Sequence, residues 1–250
     1  MTDIILHGCN GRMGQTVVKF AAEDPDIRIV AGADITGEKK NDFPVYKTIG
    51  EVTEKGVIID FSNAAAADAL LDYVGKTGTP VVLCSTGLSE EQLKRVSDIS
   101  TRAAILRSAN MSLGVNTLMK LIKTAAEVLS DRGFDIEIVE KHHNQKLDAP
   151  SGTALALADV MNEALDNRFD YIYDRTDRRE KRGKNEIGIS SVRGGSIVGE
   201  HEVIFAGTDE VIEIKHTAYS RAIFAKGAIS AAKFLDGKKP GLYSMSDVIG

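Results

Sequence analysis

The spacing of apolar and polar positions divides the chain near Asn110 into two stretches with different periods. In the first, short unbroken apolar runs alternate with longer segments of helical period. "IILHG" leads through a glycine loop into "QTVVKFAAED", and Pro25 separates that helix from the strand "IRIVAGADI". The alternation continues with "GVIIDFS" (strand), "AAAADALLDYVGKTG" (helix), "PVVLCSTG" (strand), "SEEQLKRVSDIS" (helix) and "AAILRSAN" (strand). Strands apolar at every position are buried on both faces, so this half predicts a parallel sheet with helices on either side, an α/β architecture.

After Asn110 the pattern changes. "LGVNTLMKLIKTAAEVLS" has the period of a long amphipathic helix, and "FDIEIVEKHH" alternates as a strand with two unlike faces. A second helix is expected from Gly152 to about Ala164. Three strand-like runs follow, "EIGISSVR", "SIVGEHEVIFAG" and "EVIEIKHTAYS", and the turns "RGGS" and "GTDE" between them read as hairpin connections. This half therefore predicts a mixed or antiparallel sheet in a second, α+β domain. The last helical run, "RAIFAKGAISAAKFLDG", ends at Gly237 before Pro240 and is expected to pack on the first domain.

Composition changes this picture little. The 250 residues are 43% hydrophobic, enough for an ordinary buried core, and the formal net charge of -5 argues against a nucleic-acid partner. The basic run "DRREKRGK" at 177–184 sits among Asp170, Asp174 and Glu186 and reads as a solvated loop. No apolar run approaches the roughly 20 residues of a membrane span, and "MTDIILHGCNG" has no secretory signal pattern, so a cytoplasmic protein is expected. Cys9 and Cys84 are too few for a disulfide scaffold or a four-cysteine metal site.

Two stretches carry chemistry. "GCNGRMG" places Gly8, Gly11 and Gly14 after a strand and at the opening of a helix, where unpaired N–H groups and absent Cβ atoms suit a phosphate. Asp34, at the end of the second strand and twenty residues past Gly14, could accept hydrogen bonds from ribose hydroxyls. It would repel a 2′-phosphate, while Arg12, Lys39 and Lys40 could counter that repulsion, so NADH and NADPH both stay open. The bland alternative is a tight turn that binds no cofactor. The second stretch, "EKHHNQKLDAPSGTA", collects His142, His143, Lys146, Pro150, Ser151, Gly152 and Thr153. Its N–H groups at a helix start, its hydroxyls and its lysine suit an anionic ligand, and histidine suits proton transfer near neutrality. Neighbouring strand residues point to opposite faces and no HExxH-like spacing occurs, so no metal site is expected.

With both stretches read, the chain resembles the 4-hydroxy-tetrahydrodipicolinate reductase (dihydrodipicolinate reductase) family from end to end. "EKHHNQKLDAPSGTALALA" is similar to the family pattern E-x-HHxxKxDAPSGTA, and "GCNGRMG", "IDFS", "SANMSLGVN" and "RGGSIVGEHEVIF" follow other family blocks in order. The resemblance implies a Rossmann-like nucleotide-binding domain over 1–112 and 221–250, and a substrate-binding domain over 113–220 whose mixed sheet builds a homotetramer. It implies reduction of a small cyclic dicarboxylate by NADH or NADPH in lysine synthesis. By position, His142 would be the acid/base histidine, Lys146 a proton-donating lysine, and His143 with Gly152 and Thr153 the substrate-carboxylate binders; Ser151, at the same helix start, is a further substrate-binding candidate from its own chemistry. The cofactor would lie on Gly8, Cys9, Asn10, Gly11, Arg12, Met13, Gly14 and Asp34, on Cys84, Ser85 and Thr86, and on Ala109, Asn110, Met111 and Ser112. Cys84 stands where the family loop usually has glycine, and Ile35 where some members carry an arginine for the 2′-phosphate.

Arg193 and His201 fall in the expected hairpin region; both are candidate substrate neighbours, and solvated turn chemistry explains Arg193 equally well. His7 and His216 read as structural, and Asp148 as a residue that orders its loop. Two rival functions stay in view: a dehydrogenase for another small amino or keto acid, which a substrate panel would reveal, and a nucleotide-binding sensor without catalysis.

Overall fold

A computed structural model describes all 250 residues. In chain order the elements are β1 (Thr2–His7), α1 (Arg12–Ala21), β2 (Ile27–Ala33), β3 (Val45–Tyr46), β4 (Val57–Asp60), α2 (Ala67–Thr77), β5 (Val81–Leu83), α3 (Glu90–Ser100), β6 (Ala104–Arg107) and α4 (Leu113–Leu129). Then follow β7 (Asp135–His142), α5 (Gly152–Ala164), β8 (Asp170–Ile172), β9 (Glu186–Arg193), β10 (Gly199–Ala206), β11 (Val211–Ala218), α6 (Ala222–Leu235), β12 (Gly241–Tyr243) and α7 (Met245–Ile249). The chain forms two compact units, one of Met1–Leu113 with Ala222–Gly250 and one of Gly114–Arg221.

The first unit holds a parallel seven-stranded sheet in the order β12-β6-β5-β4-β1-β2-β3, a Rossmann-like arrangement. Its apolar strands feed two cores. Ile4, Leu6 and Ile59 pack with Ala228 and Ala232 of α6 on one face, while Ile5 and Ile58 pack with Leu70 of α2 and Val96 of α3 on the other. Each such isoleucine or leucine is worth about 1.5–3 kcal/mol when fully buried, which is why both faces must be covered. α6 approaches the segment after β6 so closely that a Cβ on Gly227 would overlap the Met111 carbonyl. Gly227→Ala would therefore lift the helix from its seat. The first turn works the same way: Gly8 has φ +78°, and a Cβ on Gly14 would overlap the Gly8 carbonyl. Ser89 and Gln92 close a capping box at the start of α3.

The second unit holds a mixed sheet in the order β11-β10-β7-β9-β8. β10 and β11 are antiparallel neighbours, so "GTDE" does make a hairpin turn. "RGGS" does not: β7 lies between β9 and β10, parallel to the first and antiparallel to the second. The turn instead docks its backbone on the end of β7, with Gly194 N donating to the His142 carbonyl at 2.9 Å and Asn144 N to the Gly195 carbonyl at 3.2 Å. β7 wins the central place because Ile136 and Ile138 need apolar cover on both sides, which Ile187 and Ile189 of β9 and Phe205 and Val203 of β10 supply.

Candidate functional site

The core-facing row of β7 runs Ile136, Ile138, Glu140, His142, since alternate residues of a strand share a face. Its last two members are polar, and register places polar partners beside them. Glu140 lies opposite His201 on β10 and Ser191 on β9, and His142 lies opposite Arg193 on β9. The sheet face that begins as hydrophobic core thus ends as a buried polar cluster, with Glu140 0%, His201 4% and His142 9% exposed.

Glu140 is the hub. Its Oε1 accepts from Arg193 Nη2 at 2.6 Å and from the Ser151 backbone N–H at 3.1 Å, and its Oε2 accepts from Arg193 Nη1 at 2.8 Å and faces His142 Nδ1 at 2.5 Å. Burial alone would raise its pKa; hydrogen bonds from Arg193, Ser191 and His142 outweigh that and bring it down to about 2, so the carboxylate is ionised. Burial pushes His142 below the ordinary histidine value although Glu140 pulls the other way, with Lys146 and Arg193 adding to the depression. Burial takes His201 down to about 4. The His142 and His201 rings meet edge to face, 5.1 Å apart. Ser151 caps α5 by accepting from Ala154 N at 3.2 Å, and its hydroxyl lies 2.9 Å from His201 Nε2.

His143, Lys146, Gly152 and Thr153 follow this cluster along the chain. Lys146 Nζ pairs with Asp148 at 2.8 Å, and that contact, with help from the Gly152 backbone N–H, holds the Asp148 carboxyl below its usual range. Asp148 thus places the chain's own carboxylate on two groups expected to bind a ligand carboxylate. A Cβ on Gly152 would meet nothing within 4 Å, so the start of α5 has room for a ligand.

Of the two readings the sequence leaves open for Arg193, a substrate neighbour or a solvated turn residue, the structure disfavours the second, because its guanidinium is spent on Glu140 and on the Asp148 carbonyl at 2.8 Å. Glu140 itself was overlooked. The signal was present in E-x-H, since a spacing of two on a strand puts the acid and the histidine on one face.

In the first unit the glycine loop opens α1 with Gly11 at its N-cap and no side chain capping it. Close backbone approach is built in at Gly8 and Gly14, and the loop fits a pyrophosphate for that reason. Asp34 Oδ1 accepts from Thr36 N and Oγ1, and Oδ2 from Asn10 N at 3.0 Å, leaving acceptor capacity on Oδ2 for a ribose hydroxyl. Burial would raise the Asp34 pKa, but these hydrogen bonds hold it low. Beside it Ile35 is 91% exposed. Cys84 donates its backbone N–H to the Asp60 carbonyl at 3.1 Å and has no positive φ, so the backbone there does not require glycine. Asn110 Oδ1 accepts from Ser112 N at 2.8 Å, and Met111 and Ser112 are buried beneath α6.

A second buried acid lies at the ends of β1 and β4. His7 Nδ1 stands 2.9 Å from Asp60 Oδ1 without hydrogen-bond alignment. Asp60 Oδ1 also accepts from Ser62 N and Oγ, whereas Asp60 Oδ2 and the buried Ser85 Oγ have no hydrogen-bond partner.

Comparison with known proteins agrees from end to end. The family description "Dihydrodipicolinate reductase, N-terminus" matches residues 2–111 and "Dihydrodipicolinate reductase, C-terminus" matches residues 114–249. A 4-hydroxy-tetrahydrodipicolinate reductase of Caldanaerobacter subterraneus subsp. tengcongensis is 55% identical, over 100% of this chain and 98% of the relative. One of Clostridium tetani is 48% identical over 98% and 96%. Among solved structures, a dipicolinate-bound dihydrodipicolinate reductase from Paenisporosarcina sp. TG-14 superposes with a TM-score of 0.83 at 23% identity, covering 99% of both chains, which shows a shared fold.

Proposed function

This chain belongs to the dihydrodipicolinate reductase family and is an NAD(P)H-dependent oxidoreductase; from that premise we propose that it reduces 4-hydroxy-tetrahydrodipicolinate to tetrahydrodipicolinate in the diaminopimelate route to lysine. Overall the substrate gains a hydride and a proton and loses its hydroxyl as water. The nicotinamide coenzyme, when bound, supplies the hydride. The glycine loop, Asp34, the segment Cys84, Ser85 and Thr86, and the segment from Ala109 to Ser112 hold that coenzyme. Exposed, uncharged Ile35 beside the Asp34 carboxylate favours NADH.

The substrate is a small dicarboxylate, the class to which the dipicolinate of the Paenisporosarcina structure belongs. Lys146 takes one carboxylate in exchange for Asp148, so part of its charge is already placed before substrate arrives. The backbone N–H groups of Gly152 and Thr153 and the side chains of His143 and Ser151 complete the grip, helped by the partial positive charge at the start of α5. His142 gives the proton, with Lys146 assisting. A positioned general acid contributes about 10²–10⁴ in rate, and the low pKa of His142 makes its proton easy to transfer. The enzyme works in the cytoplasm as a homotetramer. The observation that carries the reading is the polar end of β7, where His142 sits within reach of the charges of Lys146, Glu140 and Arg193.

The test compares NADH with NADPH oxidation on adding the freshly generated cyclic precursor. Precursor-dependent oxidation, faster with NADH, is expected; no oxidation of either coenzyme overturns the assignment.

A further inference from the structure

We infer that Glu140 and Gly199 are positioning residues that present His142 to its substrate through Nε2 alone. Glu140 keeps a proton on Nδ1, and Gly199 keeps the space beside Nε2 clear. The inference rests on the reading of His142 as the proton donor.

The first half follows from counting acceptors. Glu140 is ionised, and its two oxygens take two N–H donors from Arg193, one from the Ser151 backbone and the side chain of Ser191. A carboxylate only accepts, so the remaining contact, at 2.5 Å, requires His142 Nδ1 to be the donor. Neutral His142 then carries its proton on Nδ1, and only Nε2 gains or loses a proton during turnover. His201 does not compete. Its Nε2 is taken up by the Ser151 hydroxyl at 2.9 Å, and burial takes its pKa down to about 4, so His201 stays neutral while closing the edge of the His142 ring.

The second half concerns space. A Cβ on Gly199 would stand 3.1 Å from His142 Nε2 and 3.4 Å from Cδ2. The φ of Gly199 is not in the left-handed region, so its backbone would accept any residue. What glycine contributes at this position is room for a substrate atom next to Nε2. The charged and titratable groups around His142 are Glu140 on its own strand, Arg193 on β9, Lys146 on the following loop and His201 on β10, with His216 of β11 paired to His201 from the far side.

The test uses full-length enzyme with NADH and the cyclic precursor. In Glu140→Gln the amide can donate as well as accept, so Nδ1 is no longer compelled to carry the proton. The upward pull of the carboxylate on His142 also goes, while the downward pull of Lys146 and Arg193 stays. We expect kcat to fall at least about tenfold, the alkaline limb of kcat/KM to move to lower pH, and the Kd for NADH to stay within about twofold. Gly199→Ala should lower kcat and weaken dipicolinate binding with an unchanged melting temperature. Should Glu140→Gln fail to fold, nitrogen-15 NMR of His142 in the wild-type protein decides, with a protonated Nδ1 expected at neutral pH. A protonated Nε2 with bare Nδ1, or wild-type kcat and pH profile in both variants, overturns the inference. If His142→Gln is inactive while both variants behave as wild type, only the positioning roles fall; if His142→Gln is fully active, the proton-donor reading falls with them.

Discussion

Both units bury a carboxylate against a histidine, Glu140 with His142 in one and Asp60 with His7 in the other, and they complete the pair in opposite ways. Around Glu140 both oxygens are fully engaged and Arg193 supplies the compensating charge. Around Asp60 the histidine contact is misaligned, and one carboxylate oxygen and the neighbouring Ser85 hydroxyl have no hydrogen-bond partner. A saturated network defines one arrangement of protons and can serve proton transfer; a half-satisfied one defines none. Asp60 does hold a loop in place, through the two bonds from Ser62.

The strongest way to break this comparison is His142→Gln, for which turnover should fall by about 10²–10⁴ with NADH affinity little changed. Near-normal turnover would make the Glu140 cluster as purely structural as the Asp60 one. Asp60→Asn comes next. It should destabilise the fold by about 1–3 kcal/mol in denaturant melts, and the NMR titration of His142 should not move. A shifted His142 titration would show the two clusters to be coupled.

Acid separates them further. Glu140 has a folded pKa of about 2 against an ordinary 4.5, so its contribution to stability is complete above about pH 4.5 and is lost as pH falls towards 2. Asp60 is also held below its ordinary 3.8, burial being outweighed by its His7 and Ser62 contacts, and loses its share as pH falls below that value. The fall in melting temperature between pH 4.5 and 2 should therefore persist in Asp60→Asn; a flat profile in that variant would take the stabilising role from Glu140. The smallest effect is expected at Ile35→Arg, where an exposed guanidinium beside Asp34 should move preference towards NADPH by about fivefold, the size of an exposed ion pair. An unchanged NADPH-to-NADH ratio would show that the ribose phosphate lies elsewhere.

Much of this was legible in the linear chain. The unbroken apolar runs of β1, β4, β5 and β6 announced a sheet buried on both faces, and the glycine spacing announced a turn with no room for Cβ atoms. The candidate residues from His142 to Thr153 were legible because they are adjacent in sequence. The pairing of Lys146 with Asp148 was not, since a lysine and an aspartate two residues apart can as easily face apart as pair.

By itself, then, the sequence determined the two kinds of sheet, the glycine turn before α1 and the residue types at the candidate centre, because strand period, turn chemistry and helix capping are local properties. Only the tertiary structure decided that β7 lies between β9 and β10. That single choice of register brings Arg193 and His201, more than fifty residues downstream, onto the face of Glu140 and His142. Strand neighbours are selected by burial of the whole sheet, and no short window of sequence contains that sum.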